Sequence, residues 1–496
     1  DNAVEALGDE HLRGALAHAT GLFGQRRRAA MDDVSDWDGL RAHAKALKAH
    51  TLARLDELLP AFEARLEERG ATVHWARDAA EARDLVADIC RAVEAQTVVK
   101  SKSMVTEEIH LNAGLEALGW RPVETDLGEW IIQLAGETPS HIIVPAIHKT
   151  TAQIAELFAR ELDVPETHDA AELTATARRL LRAEFARADV GISGVNVGIA
   201  ETGTLLVLEN EGNARLCTSL PRVHIAIMGL EKLLPDFEDL ATLLRLLPRS
   251  GTGQHLTSYQ SLLTGRVGDD DEGPEALHVI LLDNGRSQLL AEEVTRQTLA
   301  CIRCGACLNA CPVYQQVGGH AYGTVYPGPI GSILTPQLDD LIQAAQLPFA
   351  SSLCGACKDA CPVGIDIPEL LLELRARVVE GPDPARVAAD APLPGADDVP
   401  VTAAAPPAGP HGTGRAGRLA FAAWAHVLSR PWLLDACSRL ARAGQELGRA
   451  IPALGGLARG VAPPLAKWCR GRAAPSLAPR RFRDLWKGPL GQPPAP

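Results

Sequence analysis

The chain lacks any run of about 18 consecutive apolar residues, the length a helix needs to cross a bilayer, so no spanning helix is expected. Nor does it open on an apolar segment: it begins Asp1-Asn2-Ala3, and Arg26-Arg27-Arg28 runs into Met31-Asp32-Asp33 rather than a hydrophobic stretch. Export is therefore not expected; the arginines read as a basic turn at a helix end, and a cytoplasmic protein is expected. Cysteine is sparse for the length, 11 in 496 residues, which excludes a disulfide scaffold. The spaced glycines Gly191, Gly194 and Gly198 form neither a dinucleotide fingerprint nor a P-loop, so no nucleotide is inferred. No flavin motif is present, which assigns any organic redox cofactor to another chain. No repeat is present beyond a doubled cysteine motif.

What is present is unevenly distributed. The net charge is −13, yet from Arg415 onward there are 14 Lys/Arg against 3 Asp/Glu, so that the rest of the chain carries about −24. An acidic body excludes nucleic acid as its partner, while a basic tail with Trp424, Trp432, Trp468 and Trp486 suits something negative. A membrane surface, an acidic partner and the chain's own body are the alternatives.

At 496 residues the chain is too long for one hydrophobic core. Residues 1–70 read as helical, with Leu40 to Arg69 carrying leucines at helical spacing. Residues 71–289 alternate helices (Thr150 to Arg160, Ala171 to Ala188) with short apolar runs: 97–99, 141–144, 205–208, 224–227 and 278–282. Such runs, bounded by Gly or Pro, predict buried strands of a mainly parallel sheet covered on both faces. Residues 290–380 change character and hold most of the cysteines, with helix-compatible sequence including Leu338 to Gln346 between them. Residues 381–417, rich in Pro, Ala, Gly and Asp, read as a disordered linker. Residues 418–496 form the basic extension, with an amphipathic helix or two interrupted at Pro431.

The chemistry sits in the cysteines. Cys301, Cys304, Cys307 and Cys311-Pro312 form C-x2-C-x2-C-x3-C-P, the bacterial ferredoxin run. Three thiolates at three-residue steps wrap three corners of a cubane, Gly305 keeps backbone bulk away, and the fourth cysteine ligates the other cluster. A second copy follows with Cys354, Cys357 and Cys361-Pro362, but Ser351 stands where its first cysteine should be. The crossed rule gives cluster one Cys301, Cys304, Cys307 and Cys361, and cluster two only Cys311, Cys354 and Cys357. A three-iron cluster, a distant cysteine such as Cys217, or a fourth iron completed by Ser351, water, substrate or a partner side chain are the alternatives. The expectation is two 4Fe–4S clusters, the second with three cysteine ligands. Zinc favours four cysteines in paired C-x2-C units, which fits this pattern poorly. Cys90, Cys217, Cys437 and Cys469 read as ordinary thiols.

Beyond the cysteines, the chain resembles the lactate-utilisation iron–sulfur protein B family over nearly its whole length. The likeness rests on Gly191 to Thr204, Glu209 to Asn213, His224 to Lys232, Lys100 to Met104, Pro145 to Lys149, the cysteine block with its missing ligand, and Arg418 to Trp432. It implies an α/β LUD domain similar to isomerase and CoA-transferase sheets, then an α-helical ferredoxin domain and a mostly helical C-terminal extension. It also implies a role in oxidising L-lactate to pyruvate beside a cysteine-rich-domain protein and a second LUD protein. The electron acceptor is unknown, quinone being a candidate, and a peripheral position at the inner face of the membrane would follow.

Small polar residues at strand ends, where α/β sheets place ligands, make a candidate pocket for a small carboxylate: Glu201, Thr202, Glu209 and Asn213, with Lys100, Lys102, His148 or Lys149 supplying positive charge. Turn chemistry is the simpler reading of the same residues. The leading expectation is an electron-transfer subunit of a lactate-oxidising complex. The alternatives are an isomerase- or transferase-like enzyme with structural or sensing clusters, and a redox-sensing binding protein.

Overall fold

Among the described residues, six of the ten strands build one parallel sheet. The strands are β1 (Ala71–Ala76), β2 (Val98–Lys100), β3 (Pro122–Glu124), β4 (Val190–Gly194), β5 (Val197–Ile199), β6 (Thr204–Glu209), β7 (Val223–Gly229), β8 (Leu233–Leu234), β9 (Tyr259–Leu263) and β10 (Ala276–Leu282). The computed structural model describes residues 2–265, 273–380 and 414–450. The main sheet has the order β1-β10-β7-β4-β2-β3, every pair parallel. Side chains alternate across it as strand geometry requires. Ile225, Ile227, Ile280 and Leu282 pack on one face with the helix Ala79–Ala92. Ala226, Met228, Val279 and Leu281 pack on the other with Phe62 of the helix Leu55–Glu68. Fully buried strands on both faces explain why these runs read as continuous apolar stretches.

A second sheet, β8-β5-β6-β9, takes up residues 205–208, which the sequence suggested as part of the main sheet. Its pairing is antiparallel between β5 and β6 and between β6 and β9. Residues 141–144, expected as a strand, are irregular. The reason lies in His141, whose Nδ1 accepts the backbone N–H groups of Ile143 (3.0 Å) and Val144 (3.2 Å). A side chain has taken the donors that a neighbouring strand would need.

The N-terminal region is helical: Asn2–Gly8, Glu10–Asp32, Trp37–Leu52 and Leu55–Glu68. The stretch 40–69 is thus two helices rather than one, broken at residues 53–54. Arg26-Arg27-Arg28 lies within the second helix, and Arg27 donates to Ala360 O at 3.1 Å. Arg41 donates to Cys361 O through Nε (3.1 Å) and Nη2 (2.9 Å). Both arginines satisfy carbonyls at the end of the short helix Ala356–Ala360.

The cysteine region is built from short helices: Ala306–Ala310, Gly328–Leu338, Ala356–Ala360 and Ile367–Glu380. Residues 339–346, expected to be helical, turn instead. Asp339 leaves the helix, and Asp340 Oδ1 accepts Ile342 N–H at 2.6 Å. The helices Gly414–Leu428 and Pro431–Ala450 form a separate unit, with Pro431 opening the second. The linker expected at 381–417 lies, as far as residue 413, outside the described residues, as do Trp468, Cys469 and Trp486. Among the described residues no helix is long and apolar enough to cross a membrane.

Candidate functional site

The order of the main sheet reverses between β2 and β4, since β3 lies beyond β2 and the chain then returns to the other side. Loops leaving the carboxyl ends of two such strands diverge and open a crevice. A cavity of about 260 Å³ lies there, lined by Ser101, Lys102 and Ser103 after β2 and by Gly194, Val195 and Asn196 at β4. Gly194 has a steric reason, because a Cβ there would lie 2.3 Å from Ser103 Oγ. Met228, Gly229, Glu231 and Lys232 extend the wall beyond β7, and Ile302, Arg303 and Cys304 close the far side.

The cavity is lined by charges of both signs. At one side Glu209, Glu211 and Asp126 line it, with Lys102 near enough to act on Glu211. Glu209 accepts the N–H groups of Ala214 (2.7 Å) and Arg215 (2.8 Å), holding the start of the helix Asn213–Ser219. Glu211 accepts Leu127 N–H at 3.0 Å; burial of its inner side and the nearby Asp126 push it up to about 7. At the other side stand Lys232, Arg286 and Arg303. Burial and the neighbouring Arg303 bring Lys232 down to about 8.

Behind this basic side is a buried ion network. Arg286 makes a bidentate contact to Glu108 (2.8 and 2.9 Å) and donates to Glu231 Oε2 at 2.6 Å. Arg303 Nη2 reaches Glu231 Oε1 at 3.4 Å, and its guanidinium lies 5.0 Å from the Tyr326 ring centroid. Tyr326 Oη donates to Glu108 Oε2 at 2.7 Å, and Lys48 Nζ to Glu231 O at 2.7 Å. Burial opposes the Glu231 charge, but Arg286, Lys232 and Arg303 overcome it and hold the carboxyl down to about 2. A Cβ on Gly229 would lie 2.2 Å from Glu231 Oε2, so glycine makes room for the pair.

The cysteines fall into two groups. Cys301, Cys304, Cys307 and Cys361 surround one small cavity with Ile142, Ile302, Ile330, Val363, Ile365 and Ile367. Burial pushes Cys304 up to about 12, and the adjacent Cys301 and Cys361 add to it. Cys307 and Cys361 are raised by burial too, with Cys301 again a contributor. In the other group, burial raises Cys311 and Cys357, and Cys354 adds to both. Cys354 is the exposed member. Cys217 stands apart, its Sγ 3.3 Å from Thr125 Oγ1 within the sheet domain.

Several features fit iron–sulfur clusters. Arg303 N–H donates to Cys301 Sγ and Ile365 N–H to Cys361 Sγ, both at 3.4 Å. Gly305 and Gly355 adopt φ of 72° and 86°, turning the chain tightly around the thiols. The buried hydroxyl of Tyr322 lies against the Cys311 thiol and has no other partner, so it is placed to donate to that sulfur. Close-set thiols in apolar surroundings would be costly to ionise without a metal to bind them.

Of the carboxylate-pocket residues read from sequence, Lys102, Glu209 and Asn213 line the cavity. Lys100 does not: it is buried between Glu107 (2.8 Å) and Glu124 (2.7 Å), which hold it charged. His148 and Lys149 both engage Glu137 (2.7 and 2.6 Å), with the His320 ring 4.6 Å from that of His148. These three groups sit close enough for a cation, but the Lys149 ammonium already balances Glu137. Glu201 and Thr202 belong to the turn between β5 and β6, with Thr202 Oγ1 2.8 Å from Thr204 Oγ1. The sequence reading missed Glu231, Lys232, Arg286 and Arg303. An arginine between the cysteines of the first motif was the available signal.

Residues 59–282 match the LUD domain family, residues 297–365 the 4Fe-4S dicluster domain, and residues 403–489 the C-terminal region of lactate utilisation protein B. The chain is 45% identical over 376 residues to a lactate utilization protein B of Macrococcus caseolyticus, covering 75% of this chain and 79% of that protein. It is 43% identical over 377 residues to that of Oceanobacillus iheyensis, covering 76% and 79%. With that of Anoxybacillus flavithermus it shares 45% identity over 382 residues, covering 77% and 81%.

Proposed function

The chain belongs to the lactate utilization protein B family, and from that membership we propose that it is the iron–sulfur electron-transfer subunit of a complex that oxidises L-lactate to pyruvate. One observation carries the reading. The cavity at the carboxyl ends of β2 and β4 shares Ile142, Ile302, Arg303 and Cys304 with the box formed by Cys301, Cys304, Cys307 and Cys361. A molecule in the cavity would therefore lie against the first set of ligands.

In this reading Cys301, Cys304, Cys307 and Cys361 hold one 4Fe–4S cluster, and Cys311, Cys354 and Cys357 hold a second. Such clusters, when bound, each carry one electron, so a pair accepts the two electrons released with two protons when a 2-hydroxy acid becomes a 2-oxo acid. Lys232, backed by Arg303, receives the substrate carboxylate as a charge-assisted partner. Glu211, near neutrality at the acidic side, is placed to take a proton. Ile302 and Ile142 keep water from the wall between cavity and thiols. The exposed Cys354 marks the side from which electrons leave.

The partners in this reading are a cysteine-rich-domain protein and a second LUD protein, with quinone as the acceptor, in the cytoplasm at the inner face of the membrane. The test is anaerobic visible absorption of the assembled complex on adding L-lactate. Loss of the cluster band supports the reading; an unchanged band, with dithionite still reducing the clusters, overturns it in favour of a non-redox LUD enzyme.

A further inference from the structure

The two cysteine loops have the same backbone. Arg303 and Leu353, both non-glycine, adopt left-handed φ of 59° and 55°, and Gly305 and Gly355 follow at 72° and 86°. Each loop then enters a five-residue helix, Ala306–Ala310 or Ala356–Ala360, that ends on an extended cysteine, Cys311 (φ −81°, ψ 118°) or Cys361 (φ −70°, ψ 117°). Strain at the same unfavourable position in both copies means that one geometry is imposed twice.

The hydrogen bonds repeat with the backbone. Arg303 N–H donates to Cys301 Sγ at 3.4 Å, and Leu353 N–H donates to Ser351 Oγ at 3.1 Å. The acceptor lies two residues before the donor in each case. Ser351 Oγ therefore occupies, in the second loop, the position that a ligand sulfur occupies in the first. Arg375 fixes this segment by donating to Pro348 O (2.8 Å) and Ser351 O (3.0 Å). The adjacent Ser352 hydroxyl is engaged with Cys354.

We infer that Ser351 is the fourth protein ligand of the second cluster, its Oγ binding the iron that no cysteine reaches. This rests on the reading that the second motif holds a four-iron cluster. On binding, the hydroxyl loses its proton to solvent and the alkoxide replaces a thiolate of equal charge, so the electron count of the cluster is unchanged. Oxygen is a harder donor than sulfur, so the second cluster acquires one iron unlike the other three. Cys217 is excluded as a competitor by its place in the sheet domain, against Thr125.

The test uses the full chain, anaerobically reconstituted, as wild type and as Ser351→Ala, Ser351→Cys and Tyr322→Phe. Wild type is expected to hold about eight irons, four per cubane. Ser351→Ala is expected to hold about seven, with the electron paramagnetic resonance signal of an oxidised three-iron cluster. Ser351→Cys is expected to keep about eight and to shift the reduction potential of the second cluster alone. Mössbauer spectra of the wild type, which need no variant to fold, should show one iron in a partly oxygen environment. Eight irons and unchanged spectra in Ser351→Ala, sulfur-only sites in wild type, or loss of an iron in Tyr322→Phe would each overturn the ligand assignment alone. About four irons in wild type would overturn the two-cluster reading and the ligand assignment with it.

Discussion

Arg286 Nε and Glu231 Oε2 meet at 2.6 Å with both side chains almost wholly removed from water, 3% and 1% exposed. Because Arg303 takes the other oxygen of Glu231, this pair ties the first cysteine loop to the end of the sheet. A buried pair gives little stability against an apolar replacement of both partners, but removal of one partner strands a charge. Arg286→Met leaves Glu108 with only the neutral donors Tyr326 and Asn284 and Glu231 with only Arg303 and Lys232, and is expected to cost about 3–5 kcal/mol. Urea unfolding followed by circular dichroism measures it; a loss below about 1 kcal/mol would show that the network is not the tie described.

Lys232→Met removes the ammonium beside Arg303, leaves Lys102 in the cavity lining and leaves every cysteine of the two motifs in place. Losing a charge-assisted hydrogen bond costs about 1.5–3 kcal/mol, so lactate-dependent reduction in the complex should show a KM raised by roughly ten- to a hundredfold. Iron content should not change. Lys149→Met, which lies outside the cavity against Glu137, should leave KM within about twofold. Equal effects of the two variants would show that the cavity is not the substrate site.

His224, on β7, is buried and shares a 2.8 Å hydrogen bond with Ser193 Oγ on β4. Burial pushes it down to about 3 from its ordinary 6.5. Below pH 6.5 the unfolded chain binds a proton that the folded chain refuses, so this residue's contribution is present above 6.5 and is lost as pH falls toward 3. His224→Gln should flatten the stability profile in that window by up to about 1.4 kcal/mol per pH unit. Denaturant midpoints between pH 4 and 7 check it, and a slope equal to that of wild type would contradict the burial argument.

The crossing of the motifs predicts selective losses. Cys361→Ala should remove the first cluster's signal and leave the second's, although Cys361 belongs by sequence to the second motif. Cys311→Ala should do the reverse. Paramagnetic resonance of the dithionite-reduced variants distinguishes the two signals. Loss following the order of the motifs instead would show that each loop holds its own cluster.

Much of this was legible in the sequence where the information is local. Motif spacing is set within a dozen residues, so which thiols gather around one cavity, and the place of Ser351 against Cys301, could be read from Cys301 to Cys361. Apolar runs that bury both faces announced β7 and β10. The misses share a physical cause, which is competition from a distant or lateral partner. His141 takes the backbone donors of Ile143 and Val144, so an apolar run that looks like a strand never pairs. The run at 205–208 pairs with β5 and β9 rather than with its parallel neighbours.

The cavity was half legible for the same reason. Lys102, Glu209 and Asn213 follow strand ends and could be placed from pattern. Glu231 and Lys232 lie just beyond the apolar run 224–227, and their roles depend on Arg286 and Arg303, 55 and 72 residues away from Glu231. Lys100, His148 and Lys149 looked available as charges, yet each is matched by a carboxylate that sequence spacing does not reveal.

In the proposed function, electrons enter this chain at the cavity and reach the first cluster before the second. The most direct test is rapid freeze-quench paramagnetic resonance of the assembled complex after anaerobic mixing with L-lactate. The first cluster, identified by its loss in Cys361→Ala, is expected to be reduced first and the second to follow. Reduction of the second cluster first, or of neither while dithionite still reduces both, would contradict it.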